Sequence, residues 1–281
     1  MEFMALGEGR KKRIVAADHK CRTILCDIDM AYHAVSTLPA LHAPKISPVS
    51  IPVGDSLYVL KTNPVPGEEH CFEALIHGRG PESRCRPDWY WHSLPPPPYV
   101  QAPCYEVDEE SFEDIYGHAL VGGVHIWVST GHAATYSFST VANKWSKVGN
   151  WDLPFGGRAE YIPELNVSLG FSLQDNLLCA SDLAGASVPK LLGKWEDVVQ
   201  PQESIPLTSN LVPLGSGKLF IAKFFQIRRR RYIQGDYIND SGECFAVFTG
   251  VQLEYSGGQL SMRKHKSMRY TPFCDLQHWV I

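Results

Sequence analysis

His118, His125 and His132 recur at a spacing of seven residues, and imidazole nitrogen is a common ligand for zinc and copper. A metal centre needs at least three such ligands converging at bonding distance. A spacing of seven does not keep side chains on one face of a strand, whose period is two, and loop-forming residues intervene. The three histidines are therefore assigned to separate strands, and His265 and His278 find no partner at ligand spacing. The eight cysteines, Cys21, Cys26, Cys71, Cys85, Cys104, Cys179, Cys244 and Cys274, contain no CxxC pair. In a chain of this size they read as reduced, packed thiols. Gly215-Ser216-Gly217 lacks the nucleophile-elbow pattern and reads as a turn. Gly78-Arg79-Gly80 and Gly122-Gly123 lack the Lys-Ser/Thr ending of a phosphate loop. No catalytic residue, no metal site and no cofactor is expected.

The remaining chemistry is charge. Arg228-Arg229-Arg230-Arg231 repel one another, which predicts a solvated loop: an exposed insertion, a nuclear-import signal or a contact for an acidic partner. Arg10-Lys11-Lys12-Arg13 has the same readings, and the acidic stretch 106–114 is a solvated loop or a partner surface. Arg158 and Glu160, beside Gly156-Gly157, are candidate partner-binding positions or a structural pair. The formal net charge is −4, so the overall positive field that drives non-specific nucleic-acid binding is missing. No stretch reaches the ~20 apolar residues of a membrane helix. The partner class this leaves is another protein, in the cytoplasm or nucleus, with no membrane and no nucleic acid.

The elements that carry these residues are strands. Of the 281 residues, 44% are hydrophobic, with 23 Gly and 20 Pro. Short runs rich in Val, Ile, Leu, Phe, Tyr and Trp alternate with Gly, Pro, Asn and Asp clusters. Expected strands include 14–17, 23–27, 56–60, 72–77, 89–93, 125–129, 135–139, 144–148, 167–171, 177–181, 218–225, 244–248, 252–255 and 259–263. The one candidate helix is 106–116. Within this pattern a unit repeats. Gly54–Leu60, Phe72–Ile76 and Asp88–Pro96 are followed in the same order by Val121–Val128, Ala134–Phe138 and Asn143–Val148 with Leu153-Pro154. A looser unit precedes them. The exits Leu38-Pro39, Leu94-Pro95 and Leu153-Pro154 set a period slightly above ~50 residues, which suits a four-stranded propeller blade. Gly122 and Gly123, Tyr136, Phe138, Trp91 and Trp145 are blade residues. The two tryptophans are set on the third strand of their units, filling the gap between neighbouring sheets. Trp89–Pro98 and Tyr99 form a stiff connector or a polyproline ligand. About five units are expected, in a closed ring or an incomplete one. The division is a flexible N-terminus over 1–12, one all-β propeller domain over 13–272 and a tail over 273–281.

The Gly–strand, Tyr-x-Phe, Asn-x-Trp and Leu-Pro order resembles kelch repeats. More narrowly, Val121–Ser129, Thr135–Phe138, Lys144–Lys147, Trp151–Phe155, Gly157–Tyr161 and Trp89–Pro98 resemble a large grass family of kelch-like propellers of unknown function, DUF1618 or F-box-associated, over about residues 13–270. The resemblance implies an all-β kelch-like β-propeller and a protein-binding role, with no catalytic residues to carry over. An F-box module would precede the propeller, and too few residues stand before Ile14 to form one. Galactose oxidase is the enzyme precedent among kelch-like propellers and implies a copper site with Tyr, His and a modified Cys–Tyr pair; no motif here places those ligands. The expected function is a non-catalytic interaction scaffold. Alternatives are a small-ligand binder or metal-dependent enzyme using a central channel, and a degenerate family member without the F-box part.

Overall fold

The structure, a computed structural model, describes residues 1–7, 13–28, 34–80, 86–101, 114–131, 134–185, 188–198, 200–233 and 236–271; at Gln101, 228–233 and 236–241 it describes the backbone alone. Among them are five four-stranded antiparallel meanders, the blade-like unit of a β-propeller, and no α-helix. No helix among the described residues is long and apolar enough to cross a membrane. The first sheet holds β1 (Glu2–Leu6), β2 (Arg13–Ala17), β3 (Thr23–Asp27) and β4 (Ala34–Leu38). The second holds β5 (Val49–Val53), β6 (Ser56–Leu60), β7 (Phe72–Gly78) and β8 (Asp88–Ser93). The third holds β9 (Ile115–Val121), β10 (His125–Thr130), β11 (Ala134–Ser139) and β12 (Lys144–Gly149). The fourth holds β13 (Gly156–Ile162), β14 (Val167–Phe171), β15 (Leu178–Ser181) and β16 (Leu191–Trp195). The fifth holds β17 (Ser204–Gly215), β18 (Lys218–Ile233), β19 (Asp236–Ser256) and β20 (Gln259–Tyr270). Two compact units result, Met1–Leu153 and Pro154–Val280.

In the unit Met1–Leu153 the three sheets stack through both faces of the second. Leu57, Val59, Leu75 and Trp91 turn toward the first sheet and pack on Met4, Leu6, Val15, Ala17 and Leu25. Tyr58, Leu60, Phe72 and Ala74 turn the other way and pack on Ile115, Ile126, Val128, Phe138 and Trp145 of the third. Successive residues of a strand point to opposite faces, so a strand buried on both sides must be apolar throughout. That is why β6 reads Leu57-Tyr58-Val59-Leu60 without alternation. Several of the described hairpins close on residues at positive φ, among them Asn143, Asn166 and Gly257-Gly258. Val53 pairs with Ser56 across a two-residue turn in which Gly54 sits at φ +56°, the turn class that matches strand twist.

In the unit Pro154–Val280 the fourth and fifth sheets pack face to face. Leu169, Phe171, Leu178 and Ala180 meet Leu219, Ile221, Val251, Leu253 and Leu260. The fifth sheet is built on longer strands. β17 pairs with β18 only as far as Ser204↔Ile227, and β20 with β19 only as far as Ala246↔Tyr270. The hairpin 228–233/236–241 therefore extends past the four-stranded region as a two-stranded ribbon.

Several expectations change. The first strand of every sheet was absent from the expected strands. β5, β9, β13 and β17 carry Pro52, Gly117, Gly156-Gly157-Arg158 and Pro206, residues that read locally as turns. Trp91 and Trp145 consequently stand on the fourth strand of their sheets, not the third. Residues 2–6, expected to be flexible, pair with β2 from Glu2↔Ala17 to Leu6↔Arg13. Two strands expected at 244–248 and 252–255 are one, β19. Ile115 and Tyr116, expected to end a helix, open β9; the rest of that segment, apart from Asp114, lies outside the described residues. The Arg228–Arg231 run is not in a loop. It is strand, with Arg229 in register with Asp240 and Arg230 with Asn239. A strand tolerates consecutive like charges because neighbours alternate between faces.

Candidate partner-binding surfaces and the seams that hold them

The repeat's Leu-Pro exits and its tryptophans meet at the sheet seams. Trp91 on β8 is 6% exposed, and its Nε1–H donates to the carbonyl of Pro39, the exit of the first sheet, at 2.9 Å. Trp145 on β12 is 8% exposed, and its Nε1–H donates to the carbonyl of Pro95, the exit of the second, at 2.8 Å. A carbonyl in a tight exit lies outside the ladder and needs a donor from elsewhere, and Pro39 O also accepts from the Thr23 hydroxyl at 2.5 Å. An indole supplies that donor while its ring fills the gap. The Trp145 ring lies 5.2 Å from Phe138 and 5.6 Å from Phe72, centroid to centroid. Tyr136 stands on β11 beside Tyr99, at 5.1 Å. Tyr99 and Val100 are themselves buried in that seam, so the proline-rich stretch after β8 is a packed connector. Gly122 and Gly123, at φ +59° and +70°, turn β9 into β10.

Two buried ion pairs tie connectors to sheets in the same manner. Glu73 on β7 is fully buried and bonds Lys45 Nζ; Lys45 also donates to Ala43 O at 3.2 Å. The Glu73 Oε1 further meets His42 Nδ1 at 2.5 Å and accepts from His42 N at 3.2 Å. In the other unit Lys223 Nζ on β18 lies 3.0 and 2.9 Å from the two carboxylate oxygens of the fully buried Asp197, donates to Asn176 O at 2.5 Å and sits 4.8 Å above the Phe171 ring. Burial pulls the Lys223 amine below its usual 10.5, and Asp197 opposes that shift. Neither pair was expected. Their signal was available: a single charge inside an apolar run, as in Phe72-Glu73-Ala74-Leu75 and Ala222-Lys223-Phe224. A buried charge persists only when paired.

The candidate partner-binding residues separate into two places. Arg158 and Glu160 come together on β13, Nε to Oε1 at 2.6 Å, with side chains 38% and 25% exposed. Burial raises the Glu160 carboxyl above its usual 4.5, with Arg158 pulling it back. Nearby, the β13–β14 loop ends on Asn166 at φ +51°, whose Oδ1 accepts from the Tyr161 hydroxyl at 2.8 Å. Arg228–Arg231 stand on the ribbon of the fifth sheet, where the backbone alone is described. Of the three evenly spaced histidines, two are described. His118 on β9 faces Val128 in register, His125 on β10 faces Ser139 and lies 3.5 Å from the Ser137 hydroxyl, and His132 lies outside the described residues. Among the described residues no three His, Cys, Asp or Glu side chains are placed to hold a metal ion. Cys21, Cys26, Cys71, Cys179 and Cys244 are free thiols, and burial pushes Cys71 to about 11 and Cys179 to about 12.

With this geometry in place, the family model described as "Protein of unknown function (DUF1668)" matches residues 1–270. The chain belongs to the DUF1668 family. This corrects the expected family, DUF1618. No curated protein matches the DUF1668 chain. Among solved structures it is similar to the β-propeller domain of Cps50 (Swd1) from Myceliophteria thermophila, at 11% identity over 92% of this chain and 81% of that one, with a TM-score of 0.41. It is also similar to YjhT, at 11% identity over 93% and 96% with a TM-score of 0.46. A third is a functionally unknown protein from Desulfotomaculum acetoxidans DSM 771, at 10% identity over 92% and 88% with a TM-score of 0.46.

Proposed function

We propose that this DUF1668 chain is a non-catalytic protein-interaction scaffold of kelch-like, F-box-associated plant type, acting in the cytoplasm or nucleus. The observation that carries the reading is the pair of indole latches, Trp91 to Pro39 and Trp145 to Pro95. Both faces of the second sheet are spent on its neighbours. What such a stack presents outward is its turns and outer edges, held on a rigid frame, and that is the usual arrangement for recognition. Arg158, Glu160 and the arginines 228–231 are the positions proposed to meet a partner.

The test is affinity purification with the tagged chain from grass tissue, titrated to saturation. A protein partner that saturates and is displaced by untagged chain is the expected result. The absence of any saturable partner across salt and pH conditions overturns the reading. Stoichiometric copper, zinc or calcium in the purified protein would instead favour an enzyme or ligand binder.

A further inference from the structure

Strand β20 is the outer edge of the fifth sheet. β19 pairs with one side of it, and among the described residues no strand pairs with the other. Its beginning is anchored: Leu260 is buried and Met262 packs against the core between the fourth and fifth sheets. From Arg263 to Tyr270 every residue is exposed, on both faces of the strand. Those eight positions hold Arg263, Lys264, Lys266 and Arg269 and no carboxylate, in a chain whose net charge is −4. Arg263 is steadied by Gln252 at 2.8 Å, and the Arg269 guanidinium lies 3.8 Å above the Phe245 ring. Both contacts position a cation without neutralising it. Lys264 and Lys266 form no ion pair among the described residues.

An edge strand offers a row of unpaired N–H and C=O groups to any chain that can align with it. Natural edges are blunted by shortness, by proline or by charged side chains, lysine especially; β20 has 12 residues and no proline, so its cations are what guards it. Its cations do discriminate. A second copy of β20 laid antiparallel would bring like charges opposite one another, which is destabilising. An extended segment bearing carboxylates meets a complementary potential and the full set of main-chain bonds. We propose that β20 captures an extended acidic segment of a partner protein by strand addition along residues 263–270. The inference deepens the scaffold reading and rests on it.

The probe is a fluorescein-labelled decapeptide of alternating Glu and Val, titrated with the full chain at about 0.15 M salt and read by anisotropy. Two comparisons separate strand addition from simple charge attraction. One is the same peptide N-methylated at alternate amides; the other is the double variant Lys264→Glu, Lys266→Glu, whose exposed positions leave folding intact, checked by circular dichroism. The expected result is saturable binding of the first peptide, weakened about tenfold or more by either change. Equal binding of the N-methylated peptide, unchanged binding by the double variant, or no binding of the probe overturns the proposal. A parallel purification with both proteins distinguishes the failures. If the double variant retains the same saturable partner as the native chain, the edge proposal falls and the scaffold reading stands. If neither retains one, the scaffold reading falls and takes the edge with it.

Discussion

Replacing Trp145 by Phe tests the seam directly. The indole is 8% exposed and its N–H is bonded to Pro95 O at 2.8 Å. Phenylalanine keeps most of the ring contact with Phe72 and Phe138 but removes the donor. Pro95 is itself exposed, so water reaches its carbonyl and the lost bond costs about 0.5–1.5 kcal/mol. The smaller ring gives up about 1 kcal/mol of packing. The variant is therefore expected to lose about 1.5–2.5 kcal/mol, a sizeable share of the 5–15 kcal/mol typical of a folded domain. With a urea slope of about 2 kcal/mol per M, the midpoint falls by about 1 M. Far-UV circular dichroism is the appropriate signal, since a tryptophan is being removed. Trp195→Phe on β16 is the internal control. That indole is half-buried against the core of the fourth and fifth sheets and shows no side-chain hydrogen bond among the described residues. Its replacement is expected to shift the midpoint by about 0.5 M. Equal shifts for the two variants, or a Trp145→Phe shift at or below that of the control, would refute the latch.

Three further outcomes follow from the same geometry. Glu73→Gln strands the buried Lys45 charge and is expected to cost about 3–5 kcal/mol, most of it regained in the double variant Lys45→Met, Glu73→Leu; urea midpoints of the three proteins check this. Because the Lys223 amine titrates below 10.5 when folded, the unfolded chain keeps that proton to higher pH. Stability must then rise with pH across the window ending near 10.5, and Lys223→Met must flatten the rise in a series of unfolding curves. Burial holds the Cys71 and Cys179 thiols at about 11 and about 12, so at pH 8 both should resist a thiol reagent that labels the half-buried Cys26 in the native protein, as read residue by residue in the mass spectrometer.

The second and third strands of each sheet could be read from the chain because they are apolar on one or both faces, whereas the mostly exposed fourth strands β4 and β16 stood outside the expected strands. The Leu-Pro exits set the period because proline cannot donate to the ladder and is confined to strand ends, bulges and edge strands such as β5 and β17. The first strands could not be read that way. Gly156-Gly157-Arg158 at the start of β13 has the composition of a turn; Gly156 pairs with Phe171 of β14 and the ladder resumes only at Glu160, across a bulge that no local signal marks. Arg228–Arg231 show the same limit. Local repulsion argues for a loop, while the hairpin of β18 and β19 supplies main-chain bonds that override it. The candidate surfaces divide likewise. Arg158 and Glu160 were visible as a close pair in sequence, but Glu73 with Lys45, Lys223 with Asp197, and Trp145 with Pro95 join residues 26 to 50 positions apart. What the sequence determined alone was the alternation of strand and turn and the repeat of their order. What tertiary structure decided was which polar groups meet and which edge stays open, because burial and partnership are properties of the stacked sheets rather than of any one segment.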